Sequence, residues 1–224
     1  VFHHPDVALL CVTGGPGVVK AAMAAGKRVI AAGPGNPPVV VDETACLARA
    51  AESIIEGGAF DNNLLCIAEK EVFVVESVFD DFKAALRKAG ARELDARAIE
   101  KLSQAAFEFE PGQGVGCGQA HLKRDLVGKD ARVLAEAAGV QVPSSTLLLF
   151  GETPEDHAFV QVEQMMPFVP LVRVRDIDQA IAAAVKAEHG YRHTAIIHSR
   201  NVENVTRRAQ ALNTTLFVQN GPCT

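Results

Sequence analysis

Residues 7–42 read VALLCVTGGPGVVKAAMAAGKRVIAAGPGNPPVVVD, and this stretch decides the fold class. Three apolar runs of strand length, VALLCVT, KRVIAA and VVV, are separated by a short helical pattern and by a segment rich in proline and glycine. Pro16 suits the first turn of the helix, and Gly26 ends it. A strand, a helix and a second strand in this order predict a parallel pair, which is the unit of an α/β sheet.

The same alternation continues towards the C-terminus. Predicted strands lie at 147–150 (LLLF), 168–174 (FVPLVRV), 194–198 (TAIIH) and 214–220 (TTLFVQN), with predicted helices at 176–189 and 201–211. We therefore expect an α/β architecture, a mainly parallel sheet flanked by helices. Asp42 is the expected N-cap of the helix that follows VVVD, and Cys46 is expected on the apolar face of that helix.

Composition and charge exclude several classes of function. With 48% hydrophobic and 22% charged residues, the chain of 224 residues has the composition of a globular protein. Its 22 basic and 27 acidic side chains give a net charge of -5 without a basic stripe, which argues against DNA or RNA as a partner. No apolar run approaches the roughly 20 residues that a membrane span needs.

Five cysteines, at positions 11, 46, 66, 117 and 223, form no CxxC pair, which indicates a reducing cytoplasm rather than a disulfide or zinc framework. Cys11, in a predicted buried strand, and Cys46 are expected to be core residues. Cys66 differs because it follows the polar segment DNN and precedes a strand, so its sulfur could lie in a cleft. Cys117, in a glycine-rich loop, and Cys223 are weaker candidates. Nucleophilic chemistry requires the thiolate, whose environment the sequence alone does not show.

Histidines, glycines and one glutamate supply the remaining candidates. His193 starts a predicted strand, and a helix break at Gly190 separates it from His189, so no metal site is predicted. The turn TGGPG could approach a phosphate-bearing ligand, but it does not match the GxGxxG fingerprint of dinucleotide-binding domains. Glu163 lies in the apolar setting VEQMMPFVP, where burial would require a hydrogen-bonding ligand or partner.

Three segments together resemble the aldehyde dehydrogenase superfamily, and specifically the CoA-acylating members of propanediol and ethanolamine utilisation. The stretch from VTGGPG to VVVD is similar to the end of the family's dinucleotide-binding region, FDNNLLCIAEKEVFVV to its nucleophile segment, and EQMMPFVPLV to its cofactor-ribose segment. HTAIIHSRN and FVQNGP fit the acylating branch. The resemblance covers nearly the whole chain and implies the fold of the aldehyde dehydrogenase catalytic domain.

The resemblance implies a role for each candidate residue. Cys66 is the nucleophile that forms a thioester, Glu163 accepts hydrogen bonds from ribose hydroxyls, and His193 faces the cleft and helps to position acyl or CoA groups. The expected cofactor is NAD, and the resemblance assigns its contacts to Thr13, Gly14, Gly15, Pro34, Glu163 and Pro167. Coenzyme A is the expected co-substrate, because Ala32 stands where hydrolytic members carry the glutamate that activates water.

Domain boundaries and partners follow from the same resemblance. Residues 1–38 correspond to the end of the cofactor-binding region and residues 39–224 to the catalytic domain. Family members are longer, so we expect a catalytic fragment that binds NAD weakly or not at all and turns over poorly. Small aldehydes and CoA are the expected partners. The parent enzyme is expected to be a cytoplasmic homo-oligomer, within a bacterial microcompartment whose shell proteins are further partners.

Two other interpretations remain open. A non-catalytic structural or assembly module would keep the catalytic residues without using them, and titration calorimetry would then detect no NAD binding. A cofactor-free cysteine hydrolase would use Cys66 with His193 as its base, and His193→Ala would abolish its cleavage of esters or amides. The hydrolase leaves TGGPG and Glu163 without a role.

Overall fold

The computed structural model describes residues 1–109 and 120–224, so Cys117 and most of the predicted glycine-rich loop lie outside the described residues. The chain divides into two compact units, Val1–Gly35 and Asn36–Thr224. The functional assignment of residues 1–38 and 39–224 stays a prediction. Within the described ranges, no helix is long and apolar enough to cross a lipid bilayer.

The first unit consists of one strand–helix–strand motif. The strands β1 (Leu9–Thr13) and β2 (Arg28–Ala32) flank the helix α1 (Pro16–Met23) and pair in parallel, as the sequence predicts. Leu10 is buried, whereas Cys11, on the opposite face of β1 by strand alternation, is exposed. The prediction of a buried Cys11 is therefore wrong, because β1 belongs to a sheet of only two strands.

The second unit is built on a seven-stranded parallel sheet. Its strands are β3 (Pro38–Val41), β4 (Glu71–Val75), β5 (Arg92–Glu93), β8 (Leu149–Glu152), β9 (Phe168–Val174), β10 (Thr194–His198) and β11 (Leu216–Gln219), and a separate antiparallel pair is formed by β6 (Phe107–Phe109) and β7 (Ala120–Leu122). The order in the large sheet is β11-β10-β3-β4-β9-β8-β5, and every neighbouring pair is parallel. The predicted mainly parallel sheet is confirmed.

Seven helices of the second unit are described. They are α2 (Leu47–Ala59), α3 (Phe79–Lys88), α4 (Ala96–Ala106), α5 (Ala131–Ala137), α6 (Ala158–Gln161), α7 (Ile177–Ala187) and α8 (Val202–Leu212). The helices predicted at 176–189 and 201–211 correspond to α7 and α8 and are confirmed.

Apolar side chains on β3 and β4 point alternately to two helical layers. Val39 and Val41 pack in a cluster with residues of α2 and α3, whereas Val40 and Phe73 pack in another cluster with residues of α7. The two-residue period of a strand places successive side chains on opposite faces. Burial of each such side chain contributes about 1.5–3 kcal/mol, so the centre of the sheet holds the start of β4 firmly in place.

The helix that follows β3 begins later in the chain than the sequence predicts. Cys46 is the exposed N-cap of α2, so the predictions of an Asp42 cap and of a buried Cys46 are both wrong. Asp42 is fully buried, and its carboxylate accepts hydrogen bonds from Oγ of Ser199 and, at 2.9 Å, from Nδ2 of Asn204. A buried carboxylate needs such donors. Asp42 therefore ties β3 to the segment after β10 and to α8.

Candidate active site

Cys66 lies in the connection between α2 and β4. A 3-10 turn, Phe60–Asn63, follows α2 directly. The N–H of Ala68 donates to the carbonyl oxygen of Leu65 at 3.1 Å, so Cys66 occupies the first central position of a β-turn. The Cys66 thiol is free and half-buried. The turn therefore presents a partly accessible sulfur just ahead of the central strand.

The chain reaches this turn through three consecutive residues in the left-handed backbone region. Asp61, Asn62 and Asn63 have φ values of 47°, 52° and 63°. Aspartate and asparagine tolerate this region better than other non-glycine residues, although each such residue costs of order 1–3 kcal/mol. The run therefore persists only because contacts with the rest of the unit hold it.

Two asparagine side chains supply part of that restraint. Nδ2 of the fully buried Asn63 donates to two backbone carbonyl oxygens, one in α2 at 2.8 Å and one just before β4 at 2.9 Å. Nδ2 of Asn62 donates to the carbonyl oxygen of Gly128 at 3.0 Å and to the carboxylate of Asp130 at 2.9 Å. The segment before Cys66 is thereby anchored at several points of the second unit.

A further restraint is the ammonium group of Lys70, which has no exposed surface. Nζ donates to the carbonyl oxygens of Asn63 at 2.8 Å and Leu65 at 3.1 Å, and to the side-chain oxygen of Asn63. All three ammonium protons therefore have acceptors. Burial lowers the pKa of Lys70 to about 8, and the charge of Glu163 opposes this shift. At neutral pH, Lys70 is a buried cation bonded to the segment that leads to Cys66.

A buried carboxyl–thiol pair lies next to the same segment. The carboxyl group of Glu69 accepts hydrogen bonds from the N–H of Cys223 at 3.3 Å and from its Sγ at 3.0 Å. Burial raises the pKa of Glu69 to about 7. Burial and the neighbouring Glu69 charge raise the pKa of the Cys223 thiol well above its ordinary value. Such a thiol yields little thiolate, so Cys223 is a poor nucleophile.

Glu71 and Arg208 are a second pair of buried charged residues, but no salt bridge joins them in the part of the chain that the structure describes: both carboxylate oxygens of Glu71 and Nε and Nη1 of Arg208 have no hydrogen-bond partner there. Nη2 of Arg208 donates to the carbonyl oxygen of Pro38 at 2.9 Å. Burial raises the pKa of Glu71 and lowers the pKa of Arg208 to about 9, while the attraction between their charges opposes both shifts. The charge of Glu188 also acts on this pair, and its carboxylate accepts the backbone N–H of His193 at 3.0 Å. The carboxylate of Glu188 thus holds the backbone of the loop that carries His193.

His193 is half-buried just before β10. Its Nδ1 lies 2.7 Å from Oγ1 of Thr194. Burial lowers the pKa of the imidazole, with Glu188 opposing the shift and Lys70 adding to it. Since an ordinary histidine titrates near pH 6.5, His193 is neutral at pH 7.

Glu163 and Pro167 lie in the loop before β9. Glu163 is half-buried, and its charge acts on Lys70 and on Tyr191, whose phenol pKa is raised by burial and then by Glu163. Pro167 is buried, and its carbonyl oxygen accepts the N–H of Leu149 at 2.9 Å. The backbone of this loop is therefore fixed to the sheet, which holds Glu163 in place.

Three of the candidate residues share an interaction with Lys70. Cys66, Glu163 and His193 each interact electrostatically with Lys70. The three residues come from distant parts of the chain, and parallel packing of β3, β4, β9 and β10 brings those parts to one region of the unit. The arrangement combines a thiol, a carboxylate and a neutral imidazole around a buried cation.

The other candidates belong to the first unit. Thr13 ends β1 and is exposed, Gly14 and Pro34 are half-buried, and Gly15 is the exposed N-cap of α1. No side chain caps α1, and a Cβ at Gly15 would meet no described atom within 4 Å. Pro16 has no N–H, and the Val18 N–H donates to the carbonyl oxygen of Gly15 at 3.0 Å, so Gly17 is the residue of the first turn whose N–H has no acceptor among the described residues.

Known sequences match the whole chain. The model of the aldehyde dehydrogenase family matches residues 1–99. The acetaldehyde dehydrogenase (acetylating) EutE of Salmonella typhimurium is 48% identical over 224 residues, which are 100% of this chain and 47% of that protein. The chain belongs to the aldehyde dehydrogenase family. The propanal dehydrogenase (CoA-propanoylating) of Citrobacter freundii is 44% identical over 99% of this chain and 46% of its own length. This aldehyde dehydrogenase chain spans about half the length of the curated relatives it matches.

Solved structures share the fold of this aldehyde dehydrogenase chain. The Rhodopseudomonas palustris propionaldehyde dehydrogenase with bound CoA and an acylated cysteine has a TM-score of 0.91 and 43% identity, over 99% of this chain and 49% of that chain. An engineered glycolyl-CoA reductase with bound NADP+ has a TM-score of 0.90 and 43% identity, over 99% of this chain and 48% of that chain. A propionaldehyde dehydrogenase from the Clostridium phytofermentans fucose utilisation bacterial microcompartment has a TM-score of 0.91 and 42% identity, over 99% of this chain and 49% of that chain. The predicted resemblance to the aldehyde dehydrogenase fold is confirmed.

Sequence reasoning missed several buried charges of this aldehyde dehydrogenase chain. Glu69, Lys70 and Glu71 form the run EKE and are all fully buried. Consecutive charges usually indicate a solvated surface. The available signal was the strand VFVV, which follows EKE without a turn and is buried on both faces. Charges that lead directly into such a strand are candidates for internal ion pairs.

Proposed function

We propose that this aldehyde dehydrogenase chain carries the catalytic part of an enzyme that converts a short-chain aldehyde, CoA and NAD into acyl-CoA and NADH. The observation that carries the proposal is the half-buried free thiol of Cys66, held in a restrained turn with Glu163 and His193 around the same buried lysine. Support comes from relatives named as acetylating and CoA-propanoylating dehydrogenases, and from a solved relative that holds CoA and an acylated cysteine.

Cys66 is the proposed nucleophile. Its thiolate attacks the carbonyl carbon of the aldehyde, and the carbonyl oxygen becomes an oxyanion. Within the described residues no acceptor occupies the Cys66 N–H, so this donor is free to stabilise the oxyanion. NAD, when bound, supplies the nicotinamide ring that accepts the hydride from the former carbonyl carbon. Cys66 is then left with the acyl group as a thioester.

The proposed acyl acceptor is the thiol of CoA rather than water. Ala32, at the end of β2, offers no carboxylate to remove a proton from water, whereas hydrolytic members of the family carry glutamate there. A thiol ionises far more easily than water and needs less help from a base. The CoA sulfur attacks the thioester carbon, and the Cys66 thiolate leaves. His193 is neutral and half-buried, which suits a group that positions the acyl chain or CoA.

The residues proposed to hold NAD suit a dinucleotide. A half-buried carboxylate such as Glu163 can accept hydrogen bonds from ribose hydroxyls. At the uncapped start of α1, the Gly17 N–H can donate to a polar oxygen of the cofactor. The full proposed set is Thr13, Gly14, Gly15, Pro34, Glu163 and Pro167. A solved relative holds NADP+, so parallel assays with NAD and NADP are needed, and we expect NAD to give the lower KM.

Cys66→Ala tests the proposed chemistry. The purified protein is incubated with propionaldehyde, CoA and NAD, and both NADH and propionyl-CoA are measured. Removal of the nucleophile should lower turnover by about 10³-fold or more with little change in melting temperature. His193→Ala should slow acyl transfer to CoA more than NADH formation in a single turnover.

Three outcomes would contradict the proposal. Wild-type turnover in Cys66→Ala would remove the thioester from the mechanism. Cofactor-free ester or amide cleavage that His193→Ala abolishes would indicate a cysteine hydrolase instead. An absence of NAD binding in titration calorimetry would favour a structural or assembly module.

The assembly and location of the protein are part of the same proposal. We propose a homo-oligomeric enzyme that is cytoplasmic and associates with microcompartment shell proteins. Support comes from the relative of microcompartment origin. Light scattering should give a mass above that of one chain, and shell proteins should co-purify with the enzyme. A monomer at all concentrations, or purified shells without the enzyme, would contradict these two statements.

A further inference from the structure

We propose that Lys70 is a positioning residue for Cys66, whose buried ammonium group fixes the left-handed segment that presents the sulfur. The inference rests on the proposed function in taking Cys66 as the nucleophile. All three hydrogen bonds of Nζ end on Asn63 or Leu65, the residues that lead into the turn. None of the ion pairs found among the described residues includes Lys70. Within the described residues, the ammonium group is therefore hydrogen-bonded to the segment before Cys66 and not to a carboxylate.

Lys70 holds the residue directly before the nucleophile, while Sγ of Cys223 lies 2.6 Å from the carbonyl oxygen of Ile67, the residue directly after it. The carbonyl oxygen of Leu65, immediately before Cys66, accepts from the Ala68 N–H at 3.1 Å and from Nζ of Lys70 at 3.1 Å. The asparagine contacts described above act on the side chains of Asn62 and Asn63 and do not reach Leu65. Without Lys70, the Leu65 carbonyl would be held only within its own turn.

The lysine backbone is itself fixed to the sheet. Its N–H donates to the carbonyl oxygen of Pro37 at 3.2 Å, just before β3. Its carbonyl oxygen accepts from Nε2 of the fully buried Gln164 at 2.9 Å. Gln164 is the neighbour of Glu163, so the same residue is tied to the segment proposed to bind ribose. Lys70 thus joins two firmly held strands to the Cys66 turn.

Burial of an ammonium group is costly unless every proton finds an acceptor. That condition is met at Lys70 only while Asn63 and Leu65 keep their present backbone positions. The coupling therefore works in both directions: the left-handed segment satisfies the cation, and the cation offsets the strain of the segment. Lys70→Met keeps the length of the side chain but has no donor. The substitution should therefore remove the buried cation and free the left-handed segment from its restraint.

Hydrogen exchange measured by mass spectrometry tests the inference without relying on enzyme activity. In Lys70→Met, the amides of residues 61–68 should exchange about 10-fold faster or more, which corresponds to about 1.4 kcal/mol of local stability. The Leu64 and Ala68 amides, which donate within this segment, should respond most. Lys70→Gln, which keeps one donor group without the charge, should give an intermediate rate. Lys70→Arg, which keeps charge and donors, should exchange close to the wild-type rate, and Lys70→Gln is the test variant if Lys70→Met does not fold.

Two comparisons separate positioning from general destabilisation. Leu102→Ala removes a buried side chain from α4, in a different apolar cluster, and should lower the melting temperature without a selective increase at residues 61–68. In turnover assays, Lys70→Met should lower kcat about 10-fold or more while KM for NAD and CoA changes less than about 2-fold. A wild-type protein without aldehyde oxidation would contradict the proposed function alone. Unchanged exchange at residues 61–68 in folded Lys70→Met or folded Lys70→Gln would overturn the positioning role.

Discussion

Gly57→Ala should destabilise the protein although the substitution lies inside a helix. Alanine normally stabilises a helix interior by about 1 kcal/mol relative to glycine. Here a Cβ at position 57 would lie 2.0 Å from Oε2 of Glu69 and 2.5 Å from its carboxyl carbon. Glu69 can move away only by giving up its hydrogen bonds from Cys223. Overpacking costs about 1–3 kcal/mol and unsatisfied buried groups about 1–3 kcal/mol, so the net loss should be about 1–5 kcal/mol.

Urea denaturation measures this loss through the transition midpoint, provided that the slope stays unchanged. A double-mutant cycle then tests the cause. In a Glu69→Ala background the carboxyl group is gone, so adding Gly57→Ala should be neutral or stabilising by up to about 1 kcal/mol. Glu69→Gln keeps the volume of the side chain, so in that background Gly57→Ala should still destabilise the protein. A higher midpoint for Gly57→Ala in the wild-type background would refute the reasoning.

Two further predictions concern buried charges. Burial raises the pKa of Glu69 from 4.5 to about 7, so the folded state binds this proton more tightly, and the stability that Glu69 contributes is complete below pH 4.5 and lost as the pH rises through 7. Glu69→Gln should flatten this part of the plot of urea midpoint against pH, and superimposable plots would speak against it. Arg208→Met removes the donor to the Pro38 carbonyl oxygen and the cation whose charge opposes the raised pKa of Glu71, and it should cost about 1–3 kcal/mol, whereas the exposed Arg207→Met should leave the urea midpoint nearly unchanged. Equal midpoints for these two variants would contradict this role of Arg208.

Strand and helix positions could be predicted because apolar periodicity is a local property. The predicted strands FVPLVRV and TAIIH coincide with β9 and β10. The burial of single residues depends on elements from elsewhere in the chain. Cys11 lies in an apolar run but on an uncovered face of a two-stranded sheet, and Asp42 looks like a helix cap but is satisfied by Ser199 and Asn204. Neither outcome can be deduced from the neighbouring sequence.

The candidate site could be predicted in part. Resemblance to the family indicates Cys66, Glu163 and His193, and the second unit brings all three near Lys70, although their roles stay predictions. The buried strand that follows EKE indicates the burial of Lys70 but not its acceptors, because these become available only through a left-handed backbone turn that periodicity does not reveal. The partner of Glu69 is separated from it by 154 positions, and nothing in either local segment indicates the contact.

The contact between Glu69 and Cys223 also constrains the order of events during synthesis. A nascent chain that has left the ribosome only as far as β10 contains Cys66 and Lys70 but lacks Cys223. Contacts between distant positions form late, because closing a long loop costs entropy before any contact forms. The carboxyl group beside the Cys66 turn therefore has no donors from Cys223 until residues near 223 are released, and a partly translated chain cannot yet hold the thiol in its mature surroundings.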